Sequence, residues 1–374
     1  MTFDDVIGQK EAKERLLQLI KENRVPHAML FTGPNGTGKL ALAVAFASLL
    51  LNPEDNPNYN NAKAMLDNFE HPDLHFTYPT IKLPSMASDY KPVSDDFAQE
   101  WHSLITKTRY FSIAQWTTQI GDDKKRAIIT AGESEALLHK LSIKSSQGGY
   151  KVSIIWLPEL MNLECANKIL KLLEEPPKGT IFLLVSEEPE KLLETIRSRT
   201  QRFDVKRIAE DDIRQALITR RSISEDDATR ISRIAHGSWS EALQAIDVGN
   251  EERQFLDMFE TLMRLCYMRR VKDLKKWTDA VSAYGRDKQR RMIVYFQRQV
   301  RENFVYNFHN PELNYQTREE AGFSRNFARF INEANVIGIN DVLQTAYRDL
   351  GQNANAKIVF FDLALKMIVL ILTK

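Results

Sequence analysis

The sequence predicts an α/β domain on a parallel sheet followed by helices alone, and three observations predict it. A glycine-rich loop, Gly33-Pro34-Asn35-Gly36-Thr37-Gly38-Lys39, lies between a short apolar run and a strongly apolar helical stretch. Two more apolar runs, 152–156 and 180–185, have the length and continuity of strands buried on both faces. Beyond about residue 206 no strand pattern recurs, and apolar residues return at helical spacing.

Each element follows in order. Residues 10–23 space Leu16, Leu17 and Ile20 as one helical face. Ala28-Met29-Leu30-Phe31 reads as the first strand and 40–51 as the helix beyond the loop, the opening unit of a parallel α/β sheet. Residues 52–61, rich in Asn and Pro, and 79–92 read as loops. Helices are expected over 95–108 and 127–144, the second capped by Thr130 with Glu133 three positions on. A helix over 165–174, closed by Glu175-Pro176-Pro177-Lys178-Gly179, joins the two later strands. Residues 210–246 suit a small helical bundle and 250–374 a larger one. The expected domains are therefore 1–205, 206–248 and 249–374.

The bulk composition is ordinary. A chain of 374 residues exceeds what one hydrophobic core usually supports. Its 43% hydrophobic and 27% charged residues are typical of a globular protein, and a net charge of +1 gives no global pull toward nucleic acid or an anionic membrane. Any DNA contact has to be local. Cys165 and Cys266 are the only cysteines, which excludes a disulfide scaffold. The opening residues carry early acids and no apolar core, so no signal peptide is expected. The apolar stretch 358–372 is interrupted by Asp362 and Lys366 and falls short of the roughly 20 residues of a membrane span. A cytoplasmic location with no membrane contact is expected.

Residues 33–39 match G-x-x-x-x-G-K, with Leu40 where Ser or Thr completes the motif. Such a loop converges backbone N–H groups on phosphate oxygens at a helix N-terminus, and Lys39 would reach the terminal phosphates. Leu40 cannot supply the hydroxyl that binds magnesium. The alternative is a glycine-rich turn that binds nothing. At the end of the strand 152–156, where acids that hold metal and orient water belong, stand Trp156 and Leu157. Glu159, the nearest acid, reads as a helix-start residue, and Trp156 as apolar filling in place of a metal and its ligands. Both defects fall on phosphoryl transfer, so no intrinsic hydrolysis is expected.

Several segments together resemble the AAA+ clamp-loader family of bacterial DNA polymerase III, and within it the delta-prime type. They are Phe3-Asp4-Asp5-Val6-Ile7-Gly8-Gln9, Pro26-His27-Ala28-Met29-Leu30-Phe31, His71-Pro72-Asp73-Leu74, Leu172-Leu173-Glu174-Glu175-Pro176-Pro177 and Ile196-Arg197-Ser198-Arg199-Thr200. The last resembles the family's Ser-Arg-Cys motif, with threonine for cysteine. Asn353-Ala354-Asn355-Ala356-Lys357 is similar to the family's C-terminal domain. The resemblance implies an AAA+ P-loop module, a small helical lid and an all-α collar domain. It also implies a ring with ATP-hydrolysing motor subunits and a clamp-opening subunit, which places a sliding clamp on primed DNA. Arg199 would be the finger reaching into a neighbour's ATP site. Arg197 and Arg202 read as surface salt-bridge residues.

The departures from the family are specific. Its motor subunits carry four zinc-binding cysteines that are missing from 52–75, so no zinc is expected, and His71 and His75 read as structural. Ser240, in a segment resembling the second sensor motif, stands where active members carry arginine. Ser186 falls near the first sensor position. The resemblance thus implies a non-hydrolysing subunit and leaves open whether ATP or ADP is held without hydrolysis. The other readings are an ATP-hydrolysing motor of the same family and a nucleotide-sensing module.

Two basic series stand apart from this chemistry. Arg269, Arg270, Lys272, Lys275 and Lys276 accompany Tyr267 and Trp277, and a second series holds Arg286, Lys288, Arg290, Arg291, Arg298 and Arg301. Each reads either as a DNA-backbone contact or as the solvated face of a helix.

Overall fold

The computed structural model describes residues 2–53, 56–121, 126–146, 149–308 and 316–373. The chain divides into two compact units, Met1–Ala245 and Ile246–Lys374.

In the first unit, α1 (Lys10–Lys21) precedes β1 (Ala28–Thr32), the glycine-rich loop and α2 (Lys39–Leu51). There follow α3 (Tyr59–Asp67), β2 (Leu74–Thr77), α4 (Ala98–Lys107), α5 (Ile113–Gln119) and α6 (Ala131–Ser142). The order continues β3 (Lys151–Trp156), α7 (Leu163–Glu174), β4 (Thr180–Val185), α8 (Glu194–Arg197) and β5 (Gln201–Asp204). Helices α9 (Glu210–Arg221), α10 (Glu225–Ile234) and the start of α11 (Trp239–Tyr267) complete the unit. The strands form one parallel sheet in the order β2-β3-β4-β1-β5. This is the parallel α/β sheet with flanking helices, and a glycine-rich loop after its first strand, that was expected. Because every strand runs the same way, the loops after β1, β3 and β4 gather at one edge, where open α/β sheets bind ligands.

The central strands β1, β3 and β4 are buried along their whole length, and helix α2 is buried nearly all round. Continuous apolar sequence produced both. The edge strands β2 and β5 were not foreseen, because each is short and half covered. In β5 only Phe203 is buried, its ring 5.1 Å from Phe31 on β1.

Two further expectations are corrected. Helix α3 begins at Tyr59, inside the segment 52–61 read as loop. Thr130 does precede α6, but no capping box forms there: its hydroxyl donates to the Pro92 carbonyl at 3.0 Å. Glu133 is instead buried, accepting from the Thr77 hydroxyl (2.9 Å) and the Ser94 N–H (2.6 Å). The sheet and the 79–94 loop claim its carboxylate, and burial pushes its pKa up. A real capping box opens α5, where Ser112 accepts from Gln115 N–H and Gln115 from Ser112 N–H.

The second unit takes the rest of α11 with α12 (Val271–Ser282), α13 (Arg286–Tyr306), α14 (Arg318–Phe327), α15 (Val336–Gly351) and α16 (Ala356–Leu370). Among its described residues there is no strand. Phe259, Phe296, Leu343 and Phe360 sit at the centre of its core. The apolar stretch 358–372 falls mostly in α16, which buries Phe360, Leu363, Ala364 and Met367. No described helix is long and apolar enough to cross a membrane.

Candidate functional site

The loop between β1 and α2 holds three glycines at positive φ, Gly33, Gly36 and Gly38, and at the first two a side chain would also collide with neighbouring atoms. Gly33 has φ +147°, and a Cβ there would lie 2.2 Å from the Val205 carbonyl oxygen. Gly36 has φ +74°, and its Cβ would lie 2.0 Å from the Ser238 hydroxyl. Both conformations suit only glycine, and both show backbone or side chain pressed directly onto the loop.

Lys39 opens α2 and is only 4% exposed. Its ammonium donates to the carbonyls of Gly33 (2.9 Å) and Pro34 (2.7 Å), folding back into its own loop. Thr37 likewise donates its hydroxyl to the Pro34 carbonyl at 2.9 Å. Burial pulls the pKa of Lys39 down, and the nearby Glu187 and Glu159 carboxylates oppose that pull. Leu40 points into the core, where no oxygen ligand can replace it.

Side chains from distant segments close over the loop. The Ile7 N–H donates to the Tyr110 phenol oxygen at 2.9 Å, and the Ser240 hydroxyl donates to the Tyr110 carbonyl at 2.8 Å. A Cβ on Gly38 would lie 3.1 Å from the Tyr110 ring and its hydroxyl. Burial pushes the Tyr110 phenol up to about 12, so it stays neutral in its niche. Trp239 N–H donates to the Gly36 carbonyl at 2.9 Å, and Gln9 ties the Thr37 and Lys206 carbonyls together at 3.0 and 2.6 Å. Ser240, where the family resemblance calls for arginine, thus holds the segment that covers the loop.

The ends of β3 and β4 complete the site. Trp156 is buried against Phe111 and Trp101, with ring centroids 5.0 and 5.5 Å away. Leu157 follows with φ +54° and donates its N–H to the Val185 carbonyl. Glu159 does more than begin a helical turn: one oxygen accepts from the N–H groups of Glu187 (2.8 Å) and Glu188 (3.1 Å), tying the loop after β3 to the loop after β4. Its other oxygen is buried and has no hydrogen-bond partner among the described residues. Ser186 at the end of β4 is buried with an unbonded hydroxyl. Glu187 beside Lys39 was not foreseen, and burial pushes its carboxyl up. With the lysine engaged by its own loop, Gly36 and Gly38 covered and Leu40 in place of the magnesium-binding hydroxyl, these side chains as arranged do not fit a magnesium-bound triphosphate.

Arg199 stands elsewhere. It follows α8, is exposed, and pairs with Glu174 at the end of α7 at 2.7 Å. It also donates to the Thr195 carbonyl at 3.1 Å, and none of its bonds goes to the phosphate loop. The pairing joins the Leu172–Pro177 segment to the Ile196–Thr200 segment, two of the motifs on which the resemblance rests. Arg202 instead pairs with Asp204 on the sheet edge at 2.7 Å.

His71 accepts from the Asp73 N–H at 3.2 Å, and burial pulls His75 down to about 4. Among the described residues no three His, Cys, Asp or Glu side chains gather into a group that could hold a metal.

The family model described as DNA polymerase III, delta subunit, matches residues 8–209. DNA polymerase III subunit tau of Bacillus subtilis is 28% identical over 254 residues, covering 66% of this chain and 37% of that one. DNA polymerase III subunit delta′ of the same organism is 26% identical over 248 residues, covering 65% of this chain and 60% of that one. The chain thus matches less than two thirds of the length of either relative. Among solved structures, the Thermotoga maritima RuvB Holliday junction branch migration motor aligns with 68% of this chain and 65% of its own, at 16% identity and TM-score 0.39.

Proposed function

The chain belongs to the DNA polymerase III delta-subunit family of clamp-loader proteins, and from that premise we propose that it is the non-hydrolysing, delta-prime-type subunit of the loader. In this reading it is a scaffold that binds no nucleotide of its own and lends Arg199 to the ATP site of a neighbouring motor subunit. Its partners are the motor subunits, the clamp-opening subunit, the sliding clamp and, through the assembly, primed DNA in the cytoplasm.

One observation carries the choice of the delta-prime type over a hydrolysing tau/gamma type. The phosphate loop is closed by the chain's own Tyr110, Ser238 and Trp239, while the Arg199 guanidinium is exposed beyond α8. Leu40 and Trp156 point the same way, since neither can hold a metal or activate water. Guanidinium suits a role in trans: it keeps its charge and offers several donors to phosphate oxygens. Glu174 holds it in an exposed pair that a phosphate competitor can replace at small cost.

The test is clamp- and DNA-stimulated ATP turnover of the reconstituted loader carrying Arg199→Ala or Arg199→Lys, with assembly checked by gel filtration. A finger of this kind is worth about 10³- to 10⁵-fold in rate where it has been removed. A loss of at least about tenfold with Ala, only partly rescued by Lys, is expected from that range. Unchanged turnover in an intact assembly overturns the assignment.

A further inference from the structure

We propose that the turn between α11 and α12 is a contact for single-stranded nucleic acid, an inference independent of the Arg199 reading. The two basic series separate in the structure. In α13, Arg291 makes a two-pronged pair with Glu251 (2.9 and 2.8 Å), Arg298 bonds Glu252 and Glu320, and Arg286 donates to the carbonyls of Leu350, Asn353 and Ala354. Those cations are engaged by acids and carbonyls of the same unit.

The series at 269–276 is differently placed. Its one acid, Asp273, serves Arg270 (3.8 Å) and Lys276 (3.4 Å). Arg269, Lys272 and Lys275 are exposed and pair with no acid among the described residues. Arg269 also holds φ +50°, the left-handed conformation after a helix end in which glycine is the ordinary occupant. An arginine is thus kept where the backbone asks for glycine.

Large apolar side chains share this surface. Tyr267 is 53% exposed, with Met268 and Val271 beside it. The Tyr267 ring lies 5.0 Å from the Phe330 ring, and the Arg329 guanidinium lies 5.0 Å from Phe330 in turn. Unpaired cations around an exposed aromatic platform are what a single strand requires, phosphates on the charges and a base on the ring. A membrane surface asks instead for a long apolar helix face, and the apolar residues of α12, Leu274, Trp277 and Val281, are in the core. A duplex would need only the charges.

The test is fluorescence anisotropy of a labelled oligo(dT) 20-mer against the full chain at low salt. Binding is expected, weakening as salt rises with a log–log slope of about −0.7 per phosphate contacted. Lys272→Glu with Lys275→Glu is expected to lower affinity at least tenfold. Tyr267→Ala is expected to lower it threefold or more with the salt slope unchanged. The same charge change at Lys63 and Lys178, on the other unit, is expected to matter less than twofold. Circular dichroism melting confirms that each variant folds. No binding at low salt, equal losses in both charge pairs, or capture of an acidic, phenylalanine-containing peptide in preference to the oligonucleotide overturns the proposal.

Discussion

The phosphate loop at 33–39 and the arginine turn at 196–200 lie in the same unit, and both consist of residues suited to phosphate. The first is covered along Gly36–Lys39, with only Pro34 and Asn35 at its tip exposed: its lysine bonds its own carbonyls, and its glycines meet Tyr110, Ser238 and Val205. The second is open, its guanidinium held only by an exposed carboxylate and nearby polar atoms. The difference teaches that a motif states what a segment can bind, while the packing around it decides whether it does.

Breaking the closed side is expected to give the largest effect. Tyr110→Ala removes a buried ring between three segments and should cost about 3–5 kcal/mol, read from denaturant unfolding of the first unit. Tyr110→Phe leaves the Ile7 N–H without its acceptor and should cost about 1–3 kcal/mol. Equal stability of both variants and wild type would mean that the ring is not a structural plug.

A pH titration checks the packing of the sheet on which both motifs stand. Burial holds His75 near 4, against an ordinary 6.5 in the unfolded chain. The unfolded state therefore takes up the proton first. The contribution of this histidine is fully present above pH 6.5 and is lost as pH falls toward 4, by on the order of 3 kcal/mol. The stability difference between wild type and His75→Gln should be constant above pH 6.5 and shift in favour of the Gln variant as pH falls from 6.5 to 4; a difference that stays constant across that window contradicts the burial.

Two smaller effects sharpen the contrast. Gly36→Ala combines a left-handed backbone with a clash on Ser238 and should cost about 1–3 kcal/mol in the same unfolding experiment. Glu174→Gln, on the open side, should change stability by less than about 1 kcal/mol, since the pair it breaks is exposed. A larger loss there would mean that Arg199 is a structural brace.

Much of this was legible in the sequence. Continuous apolar runs marked β1, β3 and β4, because strands covered on both faces admit little else. The loop, its missing hydroxyl at Leu40 and the helical character of the second unit were legible for similar local reasons. The edge strands were not, since β2 and β5 bury too few residues to leave a pattern. Nor was Tyr110, whose partner Ile7 lies 103 positions away. No local spacing announces such a contact; the one available signal was an aromatic pair, Tyr110-Phe111, in a segment without clear periodicity. Glu133 shows the converse: a sequence fit for a capping box was taken by a stronger long-range claim.

The most direct test places both motifs in one assembly. ATP turnover of the reconstituted loader is measured with Lys39→Ala and with Arg199→Ala in this subunit, the assembly verified in each case. Turnover within twofold of wild type for Lys39→Ala, and a loss of at least about tenfold for Arg199→Ala, is the result expected if the loop is closed and the arginine works in trans. A large loss from Lys39→Ala with Arg199→Ala unaffected would contradict it, because the chain would then be using its own pocket.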